Sequence, residues 1–141
     1  MGTKMKKNMR GFTLVELMIT VVIVGIIAGW AMNSYRGTVI KANRTDAKTK
    51  LLEIMQKEER YFSEKSTYTT TLTDIGFSSS SVATDKGYYL ITAAAAGAGL
   101  TDGIILTATP QAKQANDVDC KNFILNSNGQ KTVSTGSTTC W

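Results

Sequence analysis

Histidine is absent from all 141 positions of this chain, which removes Ser-His and Cys-His nucleophile pairs together with the commonest metal ligand. No other nucleophile motif stands out, and Asp85, Asp102 and Asp117 read as loop residues, so no catalytic group, metal site or cofactor is expected. Cysteine occurs only twice, as Cys120 and Cys140, with 19 residues between them. That is not the clustered C-x-x-C spacing of a zinc site. A structural disulfide is the better reading and implies an oxidising, extracytoplasmic compartment; two free thiols, or a bridge to another chain, are the alternatives. Proline occurs once, at Pro110, so none interrupts a helix between Phe12 and Phe62.

Acidic residues are missing from the first eleven positions, where Lys4, Lys6, Lys7 and Arg10 lie. The chain carries 16 basic and 11 acidic residues, so 12 basic side chains face those 11 acidic ones once this start is set aside. A near-neutral remainder argues against a nucleic-acid partner. The length suits one modest globular domain.

What the sequence does have is a 21-residue run from Phe12 to Met32 whose only charge is Glu16. As a helix it measures ~30 Å, enough to cross a bilayer core with its basic head left on the cytoplasmic side. A secretory signal peptide is the plain alternative, and Gly29 and Ala31 would suit its peptidase. Its apolar region, however, is usually about 7–15 residues long and avoids carboxylates. An uncleaved anchor explains the length and leaves Glu16 unexplained, although an ionisable group in a membrane segment by default marks a functional site.

The string Arg10-Gly11-Phe12-Thr13-Leu14-Val15-Glu16-Leu17 with its apolar continuation resembles the leader of type IV pilins and type II secretion pseudopilins. The resemblance implies a prepilin peptidase that cuts between Gly11 and Phe12 and methylates the new amine of Phe12. Glu16 then becomes the fifth residue of the mature chain, one helical turn from a cationic amine. In a low-dielectric setting the two charges attract strongly. The resemblance implies pairing of Glu16 with the Phe12 amine of a neighbouring subunit; an intrachain pair is the alternative. One departure is Asn33, which stands where many members carry proline and puts the usual kink in doubt. Gly25 and Gly29 remain as weak points of the helix.

Helical periodicity continues through Ile40, Ala47, Leu51, Met55 and Phe62, with Leu52 and Ile54 widening the stripe. Asp46 with Lys50, and Glu53 with Lys57, form i,i+4 pairs on the wet side. Arg36, Lys41, Arg44, Lys48 and Arg60 read as part of a solvated face balanced by Asp46, Glu53, Glu58, Glu59 and Glu64. Asn43-Arg44-Thr45 matches a glycosylation pattern, for which a helix is a poor context. Ser63 to Lys86 is rich in Ser, Thr, Asp and Gly and reads as a surface connection pinned by Tyr68, Leu72, Ile75 and Phe77. Tyr88 to Ala94 and Ile104 to Thr109 read as strands split by a turn around Gly97 to Gly103. Phe123-Ile124-Leu125 and Lys131-Thr132-Val133 flank the turn dipeptide Asn128-Gly129 and form a hairpin.

The expected fold is α+β: a long N-terminal helix, half membrane-spanning and half packed on the head, against a four-stranded antiparallel sheet. This order of elements resembles the type IV pilin fold. The expected division is a cleaved leader at 1–11, a transmembrane and filament-core helix at 12–33, and a periplasmic or extracellular head at 34–141. Glu59-Arg60-Tyr61-Phe62, Tyr68-Thr69, Gly87-Tyr88-Tyr89, Ala108-Thr109-Pro110-Gln111, Asp119-Cys120 and Cys140-Trp141 resemble the PilE-like minor pilins. Major pseudopilins usually end in a calcium-binding loop without this cysteine pair. The resemblance implies a non-enzymatic subunit of a type IV pilus, held in the bacterial inner membrane and then in the extracellular filament. Its partners would be prepilin peptidase and other pilin subunits. A type II secretion pseudopilin and a DNA-receptor pilin for natural transformation are the rival readings.

Overall fold

The computed structural model describes residues 11–141. The basic head with Lys4, Lys6, Lys7 and Arg10 lies outside the described residues, as does the side chain of Asn33. Helix α1 runs Leu14–Lys65 and contributes to two compact units, one ending at Gly37 and the other running from Thr38 to Trp141.

In the first unit the helix opens on a side-chain cap. Thr13 precedes the first helical turn, and its Oγ1 accepts the Glu16 amide N–H at 3.2 Å. Thr13-x-x-Glu16 is the spacing of a capping box, and it satisfies one of the donors that a helix start leaves free. The apolar side chains beyond it are exposed on every face, from Phe12 at 80% to Trp30 at 86%. This stretch of α1 is long and apolar enough to cross a membrane.

The second unit packs the rest of α1 against an antiparallel sheet. The strands are β1 Val82–Ala83, β2 Tyr89–Ala95, β3 Ile104–Pro110, β4 Phe123–Asn126 and β5 Lys131–Val133, hydrogen-bonded in that order. Ala47, Leu51 and Ile54 of α1 are wholly buried. Their spacing of four and three keeps them on one helical face. The sheet answers with period two: Ile104, Leu106 and Ala108 point inward from β3, and Phe123 and Leu125 from β4. The register aligns Ile91, Ala108, Phe123 and Val133 in one inward row across four strands. Each wholly buried Leu or Ile contributes about 1.5–3 kcal/mol.

Turns and one covalent tie complete this unit. Gly87 has φ +71 between β1 and β2, a conformation that side chains with a Cβ resist. A Cβ at Gly103 would stand 2.6 Å from Ser127 Oγ, the atom that accepts the Ile104 N–H at 3.2 Å. Cys120 and Cys140 are joined as a disulfide, with Cα atoms 5.7 Å apart. Trp141 sets its ring edge-on to Phe123 at 5.6 Å and donates its indole N–H to the Thr132 carbonyl at 2.7 Å.

The fold is the expected α+β one, with corrections. The sheet has five strands instead of four, because Val82 and Ala83 pair with Ile91 and Leu90. Two residues are too few to show alternation; this edge forms because Thr84 takes both ends of Tyr89, its N–H donating to the Tyr89 carbonyl and its Oγ1 accepting the Tyr89 N–H. Strand β2 is shifted by one residue from its expected bounds, to Tyr89–Ala95, and β3 runs one residue further than expected, to Pro110. Pro110 lacks an N–H, and the next one along, from Gln111, donates to the Tyr88 carbonyl. Leu52 is 41% exposed and lies off the buried stripe. The i,i+4 pairs give way to other partners: Lys50 reaches Glu53 at 2.9 Å and Asp85 at 3.2 Å, and Lys57 sits 4.1 Å above the Phe77 ring.

Candidate functional site

The sequence singles out Gly11, Phe12 and Glu16 at one end of the chain and Cys120 and Cys140 at the other. Gly11 and Phe12 precede α1, are exposed, and leave open space around the position a Gly11 Cβ would occupy. Glu16 lies in the first turn of α1, where its negative charge meets the positive end of the helix dipole. No side chain among the described residues forms an ion pair with Glu16. Sequence reasoning missed Thr13, although Thr followed three residues later by Glu is a readable cap signature.

In the head, the structure assembles a polar network that the sequence reading spread over unrelated positions. Arg44 binds Asp117 through two hydrogen bonds of 2.6 Å each, and reaches Asp119 at 3.5 Å. Asn43 donates to Gln114 Oε1 at 3.1 Å, and Gln114 Nε2 donates to Tyr89 Oη at 3.1 Å and Asp117 Oδ2 at 3.2 Å. Gln114 lies in the 3-10 turn Ala112–Asn116, so the network clamps the β3–β4 connection onto α1 and β2. Asp117 is thus not a simple loop residue, nor Arg44 part of a solvated face. Asn43 is buried and bonded, which leaves it inaccessible as a glycosylation acceptor in the folded head.

The network polarises its members. Burial pushes the Asp117 carboxyl up, but hydrogen bonds and charge from Arg44, with backbone N–H groups of Cys120 and Asp119, outweigh it and hold the carboxyl below its ordinary range. The hydrogen bond to Asp117 raises Arg44 against the opposing effect of burial. Burial drives the Tyr89 phenol up to about 12. Beside this network, Lys48 lies 5.5 Å from the Phe123 ring centre and Lys131 5.6 Å from that of Trp141. Burial, followed by the positive charges of Arg44 and Lys131, lowers Lys48. Three cations and two rings therefore share one small region. Among the described residues, no group of three or more His, Cys, Asp or Glu is placed to hold a metal ion.

Glu58 is a further correction. Its charge alone predicts a place on the wet face, yet it is fully buried. The signal was available: Asn43, Ala47, Leu51, Ile54 and Glu58 continue one helical stripe at steps of four and three.

Residues 33–124 match the family described as type IV minor pilin ComP, DNA uptake sequence receptor, and residues 6–32 match the prokaryotic N-terminal methylation motif. The type IV major pilin protein PilA of Myxococcus xanthus is 40% identical over 68 residues, 48% of this chain and 31% of that protein. The type II secretion system core protein G of Dickeya chrysanthemi is 31% identical over 72 residues, 51% of this chain and 47% of that protein. The fimbrial protein EcpC of Eikenella corrodens is 28% identical over 121 residues, 86% of this chain and 76% of that protein. The chain thus spans 31% and 47% of the length of the first two relatives. A solved type IV pilin from Shewanella oneidensis shares the fold at TM-score 0.53 and 22% identity, covering 72% of this chain and 97% of that one.

Proposed function

From the premise that this chain belongs to the type IV minor pilin family, we propose that it is a non-enzymatic filament subunit that assembles through the first half of α1. The observation that carries this reading is a stretch of α1, from Leu14 to Trp30, whose large apolar side chains are exposed on all faces and whose one charge is Glu16. Such a surface requires lipid or like helices around it. Prepilin peptidase cleaves between Gly11 and Phe12, and the new Phe12 amine is methylated. The leader is then 1–11, the membrane and filament-core segment 12–33, and the head 34–141. The subunit waits in the bacterial inner membrane with its head in the periplasm and leaves for the extracellular pilus.

Glu16 supplies the charge logic of assembly. Its carboxylate and the Phe12 amine of a neighbouring subunit neutralise each other as the helix leaves lipid for the filament core, so neither charge stays alone in low dielectric. Mass spectrometry of the mature N-terminus tests the reading. A methylated Phe12 is expected, and a chain beginning at Met32 would refute it.

A DNA-receptor role is the second reading, favoured by the cluster of Arg44, Lys48 and Lys131 beside Phe123 and Trp141. Phe123 is wholly buried, so Trp141 is the ring of this cluster that a base could reach, with the cations beside it suited to a nucleic-acid backbone. Residues 12–141 carry 12 basic against 11 acidic side chains, so affinity would have to come from this local cluster. A gel shift of the detergent-solubilised chain at rising salt decides it. Retention at low salt that Lys48→Ala and Lys131→Ala abolish supports the role; retardation that both variants leave unchanged excludes this surface.

A further inference from the structure

Helix α1 carries one buried acid whose bonding is incomplete. Glu58 is 0% exposed; Oε2 accepts the Thr69 amide N–H at 3.1 Å, and Oε1 has no hydrogen-bond partner among the described residues. The charges that act on it are both negative: Asp74, from the 3-10 turn Leu72–Ile75, and Glu59, its neighbour on α1. Nearby cations of α1 are engaged elsewhere, Lys57 over Phe77 and Arg60 with Glu64. Asp74 accepts the Thr69 hydroxyl at 3.0 Å, and Glu59 accepts the Tyr68 hydroxyl at 2.9 Å. Three carboxyl groups therefore converge on Tyr68 and Thr69.

The segment they hold is bounded by two left-handed residues. It begins at Ser66, whose φ of 58 is left-handed for a residue with a side chain, and closes at Gly76 with φ 90. Between these points it is fastened by the Tyr68 N–H to the Leu100 carbonyl at 3.0 Å, by Tyr68 stacked on Phe62 at 4.5 Å, and by the buried Leu72.

We propose that Glu58 is a proton-operated latch, which as a neutral acid lets residues 66–76 close over it and as a carboxylate drives that segment open. A buried carboxylate oxygen without a donor, facing two like charges, costs several kcal/mol. Opening admits water, and the cost is relieved. Desolvation first, then the charges of Asp74 and Glu59, raise the Glu58 pKa against the opposing Thr69 N–H. A carboxyl whose folded pKa lies above its unfolded value stabilises fully below the unfolded value. That contribution disappears as pH rises through the folded value. The head therefore presents a closed Tyr68–Gly76 surface below the folded Glu58 pKa and a looser one above it. The latch belongs to the head alone and does not depend on how the filament assembles.

Hydrogen exchange of the full chain in detergent, corrected for intrinsic exchange, tests this between about pH 4 and about pH 8. Protection of the 66–76 amides should be lost progressively as pH rises. Glu58→Gln, which keeps an oxygen for Thr69 and cannot ionise, should hold the segment protected at every pH. Asp74→Asn removes one like charge and should shrink the wild-type loss, which serves if Glu58→Gln does not fold. Protection that is flat with pH in the wild type overturns the latch, and so does a loss that both variants retain in full.

Discussion

Between Leu14 and Ile27 the large apolar side chains of α1 stand 50–76% exposed, whereas Ala47, Leu51 and Ile54 of the same helix are wholly buried. Both stretches are helical, and both are free of proline. They differ in how the apolar residues are distributed. The first stretch is apolar all round and cannot be satisfied by one sheet packed on one side, so its burial has to come from outside the chain. The second confines its apolar residues to a stripe, and the chain supplies its own sheet to cover it. Charge follows the same division: Glu16 has no ion-pair partner within the described residues, while Arg44 finds Asp117 inside the head.

The sharpest way to break the comparison is at Glu16. Glu16→Ala should leave membrane insertion intact or improved, since a desolvation cost of about 2–3 kcal/mol disappears. It should lower the amount of this subunit in sheared filaments at least about tenfold, the factor attached to only ~1.4 kcal/mol. Quantitative immunoblotting of sheared pili checks this, and an undiminished level would overturn the assembly role of the Glu16 carboxylate, since its backbone N–H keeps the Thr13 cap in the variant.

Arg44→Ala is the corresponding lesion inside the head. Asp117, whose side chain is 1% exposed, would keep its charge and lose its partner, at a cost of about 3–4 kcal/mol. Thermal unfolding should show a lower Tm, and the β3–β4 connection should loosen. The pH dependence runs opposite to that of Glu58. Because the folded Asp117 carboxyl is held below its unfolded value, its contribution is present above the ordinary carboxylate range. It is lost as pH falls through the folded value. Wild-type Tm should drop in acid for this reason, and Arg44→Ala should flatten that drop.

The smaller of the two effects on head stability is expected at the disulfide. Cys140→Ser opens a loop between residues 20 apart in sequence and should cost roughly 3 kcal/mol or less in the chain-entropy model. Calorimetry should show a lower Tm, with segment 120–141 loosened and the first half of α1 unaffected. An unchanged Tm would mean that Trp141, Phe123 and Val133 hold the C-terminus without the bond.

Much of this architecture was legible because it is written in periodicity. The Ala47, Leu51 and Ile54 stripe, the alternation of β3 and β4, and the hairpin around Asn128-Gly129 each repeat a local signal several times. What escaped was encoded only once. Strand β1 has two residues and rests on Thr84 meeting Tyr89. Lys50 was assigned to Asp46 on spacing alone, whereas the fold brings Asp85 to it from a distant loop. Glu58 was placed in water because it is charged, although its position on the stripe points inward.

The sequence by itself determined where the helix is apolar all round, where it becomes one-sided, that Glu16 stands in its first turn and that Gly11 and Phe12 precede it. Those properties follow from residue order and the geometry of a single helix. Only the tertiary structure decided that Arg44 meets Asp117, that Gln114 bridges Asn43 and Tyr89, and that Glu58 lies with an unpartnered oxygen beside Asp74. Each of these joins residues 11 or more positions apart, or turns a charge inward. Such contacts form only when the burial of a shared apolar core brings distant backbone segments together, and local propensity carries no record of them.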